Sequence, residues 1–117
     1  MKTLTKAEEE VMQLLWQLKK ASVAEIIAEM ESPKPAYNTV STIVRILQNK
    51  AFVDYQKQGR SHIYFPVVSK ENYTKFTMAK LKDNYFGGSV KSMLSFFVKK
   101  NNMSLKDLEE VLKEIDH

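Results

Sequence analysis

Apolar residues recur at helical spacing from the start of the chain. Ala7, Val11, Leu14, Leu15 and Leu18 form one stripe, which predicts an amphipathic helix of about four turns. Met12 and Trp16 add a second stripe, so cover is expected on two sides. Thr5 followed by Glu8 is a capping box that starts this helix, and Ser22 with Glu25 starts another. The second helix is short, with Val23, Ile26, Ile27 and Met30 as core positions. Ser32-Pro33-Lys34-Pro35 then stops it, because proline disfavours helix in the residue before it.

From about Ala36 to Lys50, Val40, Ile43, Val44 and Leu47 repeat at i, i+3, i+4 and i+7. The opposite face holds Asn38, Ser41, Thr42, Arg45, Gln48 and Asn49, with one cation and no acid. Aromatic and β-branched runs follow at 52–57 and 61–65, around Gln58-Gly59-Arg60, and predict a β-hairpin closed by Pro66. Three helices, the last two joined by a short turn, and then a hairpin describe a winged helix-turn-helix over residues 1–68.

Residues 69–117 are expected to be helical and to pair two chains. Ser69 to about Phe86 carries Tyr73, Phe76, Leu81 and Tyr85, and Gly87-Gly88 breaks the pattern. Residues 89–99 hold Val90, Met93, Leu94, Phe96, Phe97 and Val98. Ser104 with Asp107 caps a last helix, with Leu105, Leu108, Leu112 and Ile115 at heptad-like spacing. Short helices this rich in large apolar groups need a partner surface, and a homodimer is the simplest way to supply one. The fold class is therefore mainly α with a small β-hairpin wing: an N-terminal reader and a C-terminal dimerisation segment.

Charge sharpens this picture. The net charge is +4, but residues 1–31 carry four lysines against six glutamates. Residues 32–68 carry Lys34, Arg45, Lys50, Lys57 and Arg60 against Asp54 alone. The positive excess is densest where the polar helix and hairpin lie, as a polyanion-binding surface requires. The absence of cysteine excludes disulfides, thiolate metal sites and cysteine nucleophiles. His62 and His117 are far apart without metal-ligand spacing, so no metal or cofactor is expected. Glu8-Glu9-Glu10 reads as a solvated first turn favoured by the helix dipole rather than a catalytic pair. No stretch approaches the roughly 18 apolar residues of a membrane span, and no secretory leader pattern is present, so the reading is a cytoplasmic non-enzyme without membrane insertion.

The candidate chemistry lies in the third helix and the hairpin tip. A recognition helix enters the major groove, about 12 Å wide, and reads base edges from its N-terminal residues. Tyr37, Asn38, Thr39, Ser41, Thr42 and Arg45 supply donors, acceptors and methyl groups on one face. Asn pairs bidentately with adenine, Arg with guanine, and Thr methyls touch thymine. By itself this helix fits an ordinary amphipathic surface helix equally well. Lys57, Arg60, Ser61 and His62 at the tip shift the balance, because a wing meets phosphate or the minor groove there. Two other readings stay open: a winged helix used for protein contacts through Tyr37, Tyr55 and Tyr64, and a regulator answering to a small molecule.

The stretches Leu4-Thr5-Lys6-Ala7-Glu8, Leu15-Trp16, Ala21 to Ile26, Tyr37 to Thr42, Tyr64 to Val68 and Phe86 to Ser89 resemble the penicillinase-repressor family. That family includes the methicillin-resistance repressor and copper-responsive repressors. The resemblance implies a homodimer on a palindromic DNA operator, with groove-reading positions at Asn38, Thr39, Ser41 and Thr42 and wing positions from Lys57 to His62. It also implies β-lactam-resistance control, in which a membrane-bound sensor protease acting in trans triggers cleavage of the C-terminal segment. Three positions depart from the family pattern. Ala51 stands where glycine is frequent after the recognition helix. Arg45-Ile46-Leu47 replaces a frequent Thr-Arg-Leu. The cleavage bond, Asn to Phe in the family, corresponds here to Phe96–Phe97, two residues that fit a dimer core equally well. The copper-responsive branch takes metal through C-terminal cysteine pairs, which this chain lacks.

Overall fold

In a computed structural model of the chain, residues 1–101 are described, together with 104, 106, 107, 109, 110 and 113. The elements run α1 (Lys6–Leu18), α2 (Val23–Ala28), α3 (Tyr37–Asn49), β1 (Val53–Gln58), β2 (Ser61–Pro66), α4 (Lys70–Tyr85) and α5 (Val90–Asn101). The chain divides into two compact units, Met1–Asn72 and Tyr73–His117.

Both N-terminal capping boxes form. The Thr5 hydroxyl accepts from the Glu8 amide at 3.2 Å while Glu8 accepts from the Thr5 amide at 3.0 Å. Ser22 and Glu25 repeat the exchange at 3.2 and 3.0 Å. Each satisfies two amides that an open helix end leaves without partners. The core of the first unit is built from Val11, Met12 and Leu15 of α1, Ile26 of α2, and Val40, Val44 and Leu47 of α3, all fully buried. Ile43, on the same stripe, is half-buried. Helix α1 is buried on its Met12 side as well, and the Trp16 indole N–H donates to the Val68 carbonyl at 2.9 Å.

Glu8 departs from the sequence expectation of a solvated first turn. It is 5% exposed, and its carboxylate takes the Lys50 ammonium at 2.6 Å. The pair ties the first turn of α1 to the end of α3. Burial alone would raise the Glu8 pKa, but the bonds from Lys50 and the Thr5 amide reverse this and hold it below the usual carboxylate range.

The connection from α2 to α3 also differs from a short turn. Helix α2 ends at Ala28, leaving Met30 outside it, and residues 29–36 carry the chain to α3. The Lys34 ammonium closes this segment by donating to the carbonyls of Ile27, Ala28 and Met30 at 3.1, 3.0 and 2.7 Å. A cation suits the negative end of a helix.

The end of α3 is a Schellman motif. The Phe52 amide donates to the Leu47 carbonyl at 2.9 Å and the Ala51 amide to the Gln48 carbonyl at 3.0 Å. Phe52 and Leu47 are both buried, as the hydrophobic part of that motif requires. The left-handed position is Ala51, at φ 63°, where glycine is the unstrained residue.

The hairpin pairs β1 and β2 antiparallel, from Val53↔Pro66 to Gln58↔Ser61. Gly59 and Arg60 form a two-residue turn, and Gly59 at φ 64° takes the first central position, which calls for glycine in a type II′ turn. A single-residue bridge pairs a third segment with β2: Ala21 and Tyr64 exchange backbone bonds of 2.9 and 2.8 Å. This fastens the wing to the α1–α2 junction. The first unit is thus the winged helix-turn-helix expected from the sequence.

The Ser69 hydroxyl, at the end of the first unit, accepts from the Asn72 amide and caps α4, and in the second unit the Ser89 hydroxyl accepts from the Ser92 amide and caps α5, each at 3.0 Å. Gly87 and Gly88, at φ 59° and 80°, separate the helices. Ser104 and Asp107 form reciprocal capping bonds at 3.2 Å. Of the expected dimerisation residues, Tyr73, Met93 and Leu94 are already buried in the single chain. Phe76, Leu81, Val90 and Phe97 are half-buried, while Tyr85 is 78% exposed. Leu105, Leu108, Leu112 and Ile115 lie outside the described residues. Among the described residues no helix is long and apolar enough to cross a membrane.

Candidate nucleic-acid interface

Helix α3 offers the polar face that its sequence predicts. Tyr37, Asn38, Thr39, Thr42 and Arg45 are exposed and Ser41 is half-buried, opposite the buried stripe of Val40, Val44 and Leu47. No side chain caps its N-terminus, since Ala36 occupies the capping position. Two of the six candidates are prearranged. The Thr42 hydroxyl donates to the Asn38 carbonyl at 2.8 Å, so its oxygen is left as an acceptor beside an exposed methyl. The Arg45 guanidinium donates from Nη2 to the Ser41 hydroxyl at 3.4 Å, a long bond that holds the arginine along its own helix without burying it.

The wing meets this face across a cleft of ≈ 740 Å³. Helix α3 lines it with Tyr37, Ser41, Arg45 and Gln48, and the hairpin with Tyr55, Arg60, Ser61, His62 and Tyr64. Ser22, Val23 and Ala24, at the start of α2, complete the wall. None of these residues is acidic. Asn38, Thr39, Thr42 and Lys57 are exposed outside the cleft wall. Ten sequence candidates are therefore divided: Tyr37, Ser41, Arg45, Arg60, Ser61 and His62 meet in one cleft, Thr39 lines a separate pocket with Glu10 and Glu31, and Asn38, Thr42 and Lys57 line neither.

The sequence places Gln48 on the polar face of α3 and offers Tyr55 and Tyr64 only as protein-contact residues, without counting any of the three among the DNA-contacting candidates. Strand alternation carries the signal for the tyrosines, because residues two apart share a face of the hairpin. Tyr55 and Lys57 thus share theirs with Tyr64 and His62 through the register Tyr55↔Tyr64 and Lys57↔His62. Burial raises the Tyr64 phenol pKa; Tyr37 and Tyr55 add to the rise and Arg45 opposes it. The phenol is therefore a neutral hydroxyl at ordinary pH.

Groups of this kind suit a nucleic-acid duplex: cations for phosphate, amide and hydroxyl groups for base edges, and no carboxylate to repel either. The sequence pattern of one family, described as penicillinase repressor, matches residues 4–117. The chain belongs to the penicillinase repressor family. This is a family of transcriptional repressors and not of enzymes.

This penicillinase repressor family member is similar to the methicillin resistance regulatory protein MecI of Staphylococcus aureus, 28% identical over 109 residues that cover 92% of this chain and 89% of that protein. It is 24% identical to the penicillinase repressor of Bacillus licheniformis over 118 residues, covering 97% and 89%. Among solved structures, the DNA-binding domain of the repressor BlaI superposes with a TM-score of 0.54 at 27% identity, over 62% of this chain and 94% of that one. Bacillus licheniformis BlaI, in monomeric form in complex with the blaP half-operator, gives a TM-score of 0.52 at 26% identity, over 62% and 89%.

Proposed function

We propose that the chain is a homodimeric transcriptional repressor that reads a palindromic operator with α3 and grips the flanking backbone with its wing. The observation that carries this reading is the acid-free cleft in which Tyr37, Ser41 and Arg45 of α3 face Arg60, Ser61 and His62 of the wing. The likeness to a repressor whose structure was determined with a half-operator supports the same placement. Arg45 is assigned to a guanine edge, Asn38 to adenine, and the methyls of Thr39 and Thr42 to thymine. Lys57 and Arg60 are assigned to phosphates, which position the protein without reading sequence.

Two copies joined through the C-terminal helices present two recognition helices related by a twofold axis, which is what a palindrome matches. The kinship to penicillinase and methicillin-resistance regulators supports β-lactam-resistance genes as the controlled set, and a role on DNA supports a cytoplasmic location. Release by a membrane-bound sensor protease acting in trans completes the scheme. The Phe96–Phe97 bond lies inside α5, so a protease that holds its substrate extended reaches it only when that helix opens locally.

The test is a mobility-shift titration against DNA from upstream of the protein's own gene, with excess non-specific competitor, at two salt concentrations. Lys57 and Arg60 from each of two protomers neutralise about four phosphates, for which log K falls against log salt with a slope of about −3.6. A discrete complex with that salt dependence, footprinting to two half-sites about 10 bp or a multiple apart, is the expected result. A folded dimer with no retained complex at low salt overturns the reading.

A further inference from the structure

Tyr55 and His62 are not partners across the hairpin; the register gives Tyr55 to Tyr64 and Lys57 to His62. Their rings meet on the diagonal, which long and aromatic side chains can span. The Tyr55 and His62 centroids are 4.5 Å apart with planes 17° from parallel. Tyr64 leans on Tyr55 at 5.9 Å and meets His62 edge-on at 6.2 Å. The three rings grade from anchored to open: Tyr64 is buried and bonded to Ala21 through its backbone, Tyr55 is half-buried, and His62 is exposed. All three line the cleft opposite Tyr37 and Arg45.

An exposed histidine samples several rotamers, and fixing one when a ligand binds costs conformational entropy. A ring already stacked flat has met much of that cost before DNA arrives. Its ring nitrogens lie in the plane of the imidazole, so stacking on Tyr55 turns an N–H sideways, away from the Tyr55 ring face. Tyr55 offers only its ring face to His62. We infer that Tyr55 is a positioning residue: its ring holds the His62 imidazole in the orientation from which an N–H donates to a DNA phosphate oxygen. This rests on the repressor reading and adds to it a residue that does not itself contact the operator.

The experiment is a mutant cycle on the full-length protein, titrated with duplex DNA from upstream of its own gene. Tyr55→Leu and His62→Ala should each weaken binding about threefold to tenfold, the range expected of one aromatic pair. Tyr55→Phe keeps the ring and should stay within about twofold of wild type. Adding Tyr55→Leu to His62→Ala should cost nothing further, whereas adding it to Lys57→Ala should cost its full factor. A general loosening of the wing would instead lower affinity equally in both backgrounds, and that result overturns the proposal. So does a Tyr55→Phe variant as weak as Tyr55→Leu.

A second readout needs no DNA. His62 and His117 are the only histidines, so their imidazole proton signals are simple to separate by NMR. The His62 signals should be shifted upfield by the Tyr55 ring in wild type and in Tyr55→Phe, and should return towards free-histidine positions in Tyr55→Leu. Unshifted His62 signals in wild type overturn the stack itself. Shifted signals in a wild-type dimer that binds no DNA overturn the repressor reading and, with it, the role assigned to the stack.

Discussion

Replacing Ala51 by glycine should stabilise the protein, against the usual rule that glycine near a helix weakens it. Ala51 is the residue after the cap of α3 and sits at φ 63°, in the left-handed region. A residue with a Cβ pays about 1–2 kcal/mol there, and glycine does not. Against that gain stands the extra freedom that glycine brings to the unfolded chain, about 0.4–1 kcal/mol. Ala51 is exposed, so removal of its methyl opens no cavity. Both bonds of the motif, Phe52 to Leu47 and Ala51 to Gln48, involve main-chain atoms only and survive the change. The balance favours Ala51→Gly by about 0.5–1 kcal/mol. With an m-value of about 1–3 kcal/mol/M in urea, the midpoint should rise by a few tenths of a molar at unchanged m. Protein concentration must be held fixed, because the stability of the proposed dimer would depend on it. Operator affinity should not change, since the axis of α3 is set upstream by Val40 and Val44. An unchanged or lowered midpoint with unchanged m would refute the reasoning, by showing that the left-handed alanine carries no strain. Ala51→Val, with a branched side chain at the same φ, should move the midpoint the other way.

The Glu8–Lys50 pair supports two further predictions. Lys50→Met strands a carboxylate that is 7% exposed; because the Lys50 side chain is itself 21% exposed, the loss should be about 1–3 kcal/mol rather than the full cost of breaking a buried pair. Adding Glu8→Gln should recover part of it, and a urea series on the three proteins reads both effects. The Glu8 pKa is lower folded than unfolded, so its contribution is complete above the ordinary carboxylate pKa of about 4.3 and is lost as pH falls through the lower folded value. The urea midpoint should therefore fall with pH below about 4, and the fall should be smaller in Lys50→Met; equal falls in the two proteins would argue against the linkage.

Where periodicity and local chemistry act alone, the sequence was a sufficient guide. Val40, Val44 and Leu47 are the buried stripe of α3, the two capping boxes form as spaced, and Gly59 turns the hairpin. What stayed hidden depends on contacts between distant residues. Glu8 looks like any acid in a first helical turn until Lys50 arrives from the end of α3. The Ala21–Tyr64 bridge is a single rung and has no period to detect. Met30 fits the stripe of α2, but the segment before the two prolines leaves the helix first, and Lys34 closes it with bonds that no spacing rule anticipates. The polar face of α3 was legible. Its opposite wall was legible only in part, because Tyr55 and Tyr64 fit a protein-contact surface as well as a strand, and only the register sets them beside His62.

The assignment of base reading to α3 and phosphate holding to the wing is tested most directly by one comparison. Wild type, Arg45→Ala and Lys57→Ala are each titrated against the footprinted operator and against a scrambled duplex of equal length, at the same salt. Arg45→Ala should cost about 1–3 kcal/mol on the operator and little on the scrambled duplex, while Lys57→Ala should weaken both by the same factor. If Arg45→Ala weakens the two duplexes equally, α3 does not read bases through that side chain, and the account of the cleft is wrong.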